Sequence, residues 1–102
     1  MENYNLTNII IKESYMNDKM ILIVDDESRI RKLIKDFIEQ EEYSVIEAAD
    51  GEEAVVQFEA NINKIKLVIL DVMMPKQDGW SALRQIRQIS NVPVIMLTAR
   101  SE

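Results

Sequence analysis

Asp25, Asp26, Asp71 and Thr98 are the side chains in this sequence whose type and placement could do chemistry, because each stands at the end of an apolar run. The runs are "MILIVDD" (20–26), "KLVILD" (66–71) and "PVIMLT" (93–98). The chain has no cysteine and no histidine, which removes thiol nucleophiles, imidazole bases and the usual zinc ligands. Its chemistry must therefore use oxygen. Carboxylates brought together from separate strand ends repel one another, and a hard divalent cation such as Mg²⁺ is the simplest means of keeping them ionised. Such an ion keeps open positions for a phosphoryl oxygen, and Asp71 could then act as nucleophile. Taken singly, Asp25 or Asp26 could equally be a helix cap, and Thr98 could simply open a turn. The set at three strand ends carries the argument.

The elements needed to bring these residues together are legible as alternating strands and helices. Behind the first apolar run, "ESRIRKLIKDFIEQEE" places Ile30, Leu33, Ile34, Phe37 and Ile38 at helical spacing. "YSVIEA" reads as a second strand. "DGEEAVVQFEANI" opens with Asp50 and Glu53 at capping-box spacing and carries a stripe of Val55, Phe58 and Ile62. "KLVIL" (66–70) is a third strand, "DGWSALRQIRQI" a third helix with Asp78 as its cap, and "PVIMLT" a fourth strand behind Pro93. Continuous apolar strands alternating with helices predict right-handed βαβ units and a mostly parallel sheet covered on both faces. A parallel sheet collects the carboxyl ends of its strands at one edge, where ligands bind at the reversal of strand order. If the first and third strands are neighbours, their ends lie only about 5 Å apart.

A chain of 102 residues, 47% apolar and 29% charged, has room for one soluble core. A net charge of −6 leaves no basic stripe for phosphate backbones, so nucleic-acid binding by this chain is not expected. The apolar runs are strand-length, below the roughly 18 residues of a spanning helix, and the start lacks a signal pattern; a cytoplasmic protein without membrane attachment is expected. Lys76 reads as a solvated loop charge, and Trp80, Met73 and Met74 as packing. A metal-dependent phosphatase with an Asp nucleophile would want a second Asp two positions on, where Met73 stands, and its general acid is absent. Gly51 and Gly79 are the only glycines, too few for a phosphate-cradling loop.

"ILIVDDE", "EAADGEEAV", "LVILDVMMPKQDGW" and "VPVIMLTAR" together resemble the receiver domain of two-component response regulators, most of all the subfamily with a winged-helix transcription factor as output. The resemblance implies a flavodoxin-like, doubly wound α/β fold and Mg²⁺-dependent transfer of a phosphoryl group from a sensor histidine kinase to Asp71. Carried over by position, it implies that Asp26 binds the metal directly, Asp25 acts mainly through a metal-bound water, and the Met73 backbone carbonyl completes the ligands beside Asp71. Thr98 would be the switch, drawing the following loop toward the phosphoryl group. Met73 and Arg100 fall at positions that tune hydrolysis of the acyl phosphate. The function implied is that of a phosphoacceptor, not an enzyme, regulating transcription in the complete protein.

The resemblance spans residues 20–102, so the chain reads as a truncated receiver lacking the last helix, strand and helix of the family. The lysine and aromatic switch residue of those segments have no counterpart here. An uncovered fourth strand predicts an apolar edge with unpaired backbone groups, open to a homo-oligomer or to strand exchange. The alternative function is an inert or interaction-only fragment. Residues 1–19 form an N-terminal extension with two readings. In one, Met16 is the native start and residues 1–15 are a disordered upstream remnant. In the other, the β-branched run at 7–11 adds an edge strand beside the fourth strand and brings Lys12 near Asp71 as a substitute lysine.

Overall fold

The computed structural model describes residues 19–97, apart from the side chain of Gln77. Strand β1 (Met20–Val24) is followed by helix α1 (Ser28–Glu39), β2 (Ser44–Ala48), α2 (Gly51–Ala60), β3 (Ile65–Asp71), a 3-10 turn (Pro75–Gln77), α3 (Asp78–Ile89) and β4 (Val94–Leu97). The expected alternation holds, and its boundaries fall within three residues of those read from periodicity. Among the described residues the sheet is four-stranded, in the order β2-β1-β3-β4, with every pairing parallel. β1 and β3 are neighbours, and the chain passes to opposite sides of β1 to reach β2 and β3. This reversal places a crevice above the carboxyl ends of β1 and β3.

The central strands are apolar over Met20–Val24 and Leu67–Leu70 because each face there meets a helical layer. Leu22, Val24, Val68 and Leu70 point to one face and pack with Ala54 and Phe58 of α2 and Ala82 and Ile86 of α3. Ile21, Ile23 and Ile69 point to the other and meet Ile34 and Ile38 of α1. Leu22, Ile23, Val24 and Phe58 are completely buried, and each contributes on the order of 1.5–3 kcal/mol of transfer free energy. Among the described residues the two layers are unequal, with two helices on one face and one on the other.

That inequality corrects two of the helical stripes. In α1 no residue is fully buried, and Leu33 and Phe37 are 68% and 72% exposed. Arg31 and Lys35 reach Glu47 on β2, so the Leu33–Phe37 flank turns the opposite way, toward the side of β3 and β4, where no described helix meets it. In α2, Ala54 and Phe58 are buried, but Ile62 lies in the turn beyond the helix and is exposed. β4 is an edge strand among the described residues, as expected, with Ile95 and Met96 half exposed on opposite faces.

The helix starts follow their sequence signals in part. Asp50 caps α2 by accepting the Glu53 N–H at 2.7 Å, whereas the Glu53 carboxylate accepts the Ala49 N–H at 3.3 Å, one residue beyond the Asp50 N–H that a reciprocal box would use. Asp78 does not cap from outside its helix. It is the first residue of α3, and its carboxylate accepts from the Gly51 N–H at the start of α2, at 3.4 Å.

Candidate functional site

Asp25, Asp26 and Asp71 converge above β1 and β3, each offering a carboxylate oxygen within 4.8 Å of the others. Asp25 and Asp71 are buried and Asp26 is exposed, so the cluster is a recess with one open side. Asp71 is the last residue of β3. Its carboxylate accepts the Met73 N–H at 2.8 Å, and that of Asp25 accepts the Glu27 N–H at 2.8 Å. Both acids are thus held by the turn two residues beyond them, with oxygens left to face the recess.

Burial raises the Asp25 carboxyl above its ordinary value of 3.8, and the charges of Asp71, Asp26 and Glu27 push the same way. The Glu27 N–H opposes them. The recess therefore stores like-charge repulsion in the metal-free protein. Three hard oxygens, with no nitrogen or sulfur donor in the set, fit a hard divalent cation of the Mg²⁺ class.

Backbone packing under the recess is tight. Gly79, in the first turn of α3, lies so close to the end of β3 that a Cβ there would sit 2.4 Å from the Asp71 carbonyl oxygen and 2.7 Å from the Val72 Cα. Gly51 stands in the same relation to Asp78, with 2.5 Å to its carbonyl oxygen. Both glycines have negative φ, so space and not backbone conformation requires them. Val72 continues beyond β3 by donating its N–H to Leu97 at 3.2 Å, which ties the loop after Asp71 to the end of β4.

Met74 is buried, as loop packing requires, but Met73 and Trp80 are substantially exposed and do not pack as expected. Lys76 is exposed and takes a left-handed conformation, φ 60° and ψ 22°, within the 3-10 turn. Thr98, Arg100 and Lys12 lie outside the described residues. Sequence reasoning passed over Arg31, which donates to the Asp25 carbonyl at 2.7 Å and to Glu47 at 3.0 Å. Its only signal was an arginine one turn into the helix that follows the acidic pair.

The response regulator receiver domain model matches residues 21–102. The chain belongs to the receiver family. Among curated relatives, the receiver is 47% identical over 87 residues to the transcriptional regulatory protein ResD of Bacillus subtilis, covering 84% of this chain and 35% of that one. The chain thus spans about a third of that relative's length. Among solved structures it is similar to response regulator TrrA of Thermotoga maritima in complex with Mg²⁺ and BeF, with 40% identity, a TM-score of 0.72, and coverage of 81% of this chain and 71% of that one. It is similar also to a chain of the complex of histidine kinase ThkA with TrrA, at 40% identity and a TM-score of 0.72, covering 82% of this chain and 72% of that one. The likeness confirms the flavodoxin-like receiver fold expected from the sequence. Among the described residues, no helix is long and apolar enough to cross a membrane.

Proposed function

We propose that this receiver accepts a phosphoryl group on the Asp71 carboxylate from the phosphohistidine of a sensor histidine kinase. In that transfer an oxygen–phosphorus bond forms at Asp71 as the donor's nitrogen–phosphorus bond breaks. The observation that carries the reading is the convergence of Asp25, Asp26 and Asp71 at the strand-order reversal. Asp26, Asp71 and the Met73 carbonyl would hold Mg²⁺ directly, with Asp25 acting through a water. The ion would supply positive charge against the carboxylates and the phosphoryl oxygens. The protein's own share is placement: the Met73 N–H fixes one Asp71 oxygen and leaves the other toward the recess. Thr98 is assigned the switch role, its hydroxyl drawing the following loop toward the new charge. Transcriptional regulation in a longer cytoplasmic protein is the proposed output, supported by the relationship to ResD. A second reading, an inert or interaction-only piece, predicts the same recess without phosphoryl acceptance.

Intact mass after incubation with acetyl phosphate and Mg²⁺ separates the two. We expect one phosphoryl adduct on the wild type and none on Asp71→Asn, and no wild-type adduct when EDTA replaces Mg²⁺ from the start of the incubation. A folded wild type that gains no mass would leave only the inert reading.

The extension and the oligomeric state belong to the same proposal. With residues 20–102 as the receiver, residues 1–19 are an N-terminal extension, either an upstream remnant before Met16 or a segment whose run at 7–11 would add a strand beside β4, an edge strand among the described residues. In the second of these readings Lys12 would serve Asp71 as a substitute lysine, from the same chain or by strand exchange from a neighbouring copy. Ile95→Lys places a charge on that edge. Light scattering should report a concentration-dependent dimer for the wild type and a monomer for this variant; equal masses at all concentrations would remove the edge as an association site.

A further inference from the structure

We propose that Arg31 is a positioning residue for the metal site, clamping the β1–α1 turn onto β2. The inference rests on the receiver reading of the acidic recess and adds to it a residue outside the carboxylate set. Its basis is the way Asp25 is tied to β2 from both ends of its backbone. The Asp25 N–H donates to the Ala48 carbonyl at 3.1 Å, directly extending the β1–β2 ladder. Its carbonyl accepts from Arg31 Nη1 at 2.7 Å, and Arg31 Nε in turn donates to Glu47 Oε1 at 3.0 Å. One guanidinium therefore bridges the acidic turn and the residue preceding Ala48.

The fork geometry of arginine is what permits this. Nε–H and Nη1 are held in one rigid plane but point in different directions, so fixing Nε on Glu47 also fixes where Nη1 points, which is at the Asp25 carbonyl. The Arg31 side chain is only 16% exposed and that of Glu47 33%, so the pair is partly shielded from solvent in a way that an exposed bridge such as Lys32–Asp36 is not. Lys35 also approaches Glu47, at 3.6 Å, and helps to hold the acceptor in place. With its side chain fixed by the Glu27 N–H and its backbone by β2 and Arg31, Asp25 has little freedom to retreat from the charges of Asp26 and Asp71. The clamp holds mutually repelling carboxylates at ligand spacing before any cation arrives.

The sign of the effect distinguishes this role from the alternatives. A positive charge near a cation site weakens cation binding, so if Arg31 acted only as a charge, removing it would tighten binding. If it were only a stabilising bridge, removal would lower the melting temperature and leave metal affinity alone. A positioning role predicts weaker binding.

The experiment is Mn²⁺ affinity, read by water-proton relaxation on the whole chain well below its melting temperature, with thermal unfolding measured in parallel. Arg31→Met should weaken Mn²⁺ binding roughly tenfold, the lower end of what loss of a supporting contact costs a metal site. Arg31→Lys keeps the charge but cannot reach both acceptors at once, and should weaken binding several-fold; it decides the question if Arg31→Met does not fold. Lys32→Met, which breaks the exposed bridge on the same helix, should bind as the wild type does. Unchanged or tighter binding by a folded Arg31 variant overturns the clamp and leaves the metal reading intact. A wild type with no Mn²⁺ binding sensitive to Asp71→Asn removes both.

Discussion

Gly79→Ala is expected to cost about 3 kcal/mol of stability and to disable phosphoryl acceptance in whatever fraction still folds. The new methyl group would meet the Asp71 carbonyl oxygen at 2.4 Å, the Val72 Cα at 2.7 Å and the Asp71 carbonyl carbon at 3.2 Å. All three are backbone atoms of the end of β3 and the turn after it. They cannot rotate away as a flexible side chain would, so relief requires α3 and β3 to separate. Alanine is the better helix former, by up to about 1 kcal/mol, but that gain is small beside the clash. For a domain of this size the net loss corresponds to a fall in melting temperature of roughly 12–24 °C. Because the displaced residue is the proposed phosphoacceptor, the acetyl phosphate adduct should fall with it. A melting temperature within a few degrees of the wild type, with adduct formation intact, would mean that the helix start yields more readily than its geometry implies.

Asp25→Asn is expected to act in opposite directions with and without metal. Burial first, then the charges of Asp71, Asp26 and Glu27, raises the Asp25 carboxyl above its ordinary value of 3.8. Between that value and the raised one the folded chain binds more protons than the unfolded chain, so stability falls as pH rises through the window. The loss is complete above the folded value. Asparagine keeps an oxygen to accept the Glu27 N–H and removes the charge, so the metal-free variant should gain about 1 kcal/mol and several degrees in melting temperature. Mg²⁺ should reverse the order. At a hundredfold excess over its dissociation constant a bound ion stabilises the wild type by about 2.7 kcal/mol. The variant, short of one carboxylate, should bind 10–100-fold more weakly and gain little. Melting curves at several pH values with EDTA and with Mg²⁺ test both halves. If the metal-free variant melts at or below the wild type, the buried charge of Asp25 does not destabilise the metal-free recess; if Mg²⁺ shifts both equally, Asp25 takes no part in metal binding.

Much of this was written in the sequence. Apolar runs ending in Asp25, Asp71 and Leu97, separated by amphipathic segments, require a parallel βαβ sheet, because strands that are apolar on both faces must be covered on both faces. Such a sheet delivers its strand ends to one edge, so the acidic pair after β1 and the acid closing β3 could be placed together before any coordinate was known. Local composition carries this information because it depends on periods of two and of three to four residues, which a linear reading preserves.

What the tertiary structure alone decided depends on contacts between distant positions. Periodicity marked Leu33 and Phe37 as an inward stripe, yet they are exposed because α1 leans toward β2, where Arg31 and Lys35 find Glu47. Helical spacing states which residues share a face and is silent on what that face meets. The sequence likewise displayed Gly51 and Gly79 without their reason, which is the close approach of two helix starts to backbone carbonyls far along the chain. Arg31 is the sharpest case. An arginine on a helix surface reads as a solvated charge, and only the juxtaposition of β2 with the turn after β1 turns it into a bridge between Glu47 and the Asp25 carbonyl. The sequence determined the carboxylates and their convergence; the packing of strands and helices decided which groups hold them in place, because support for a site comes from whatever folds against it.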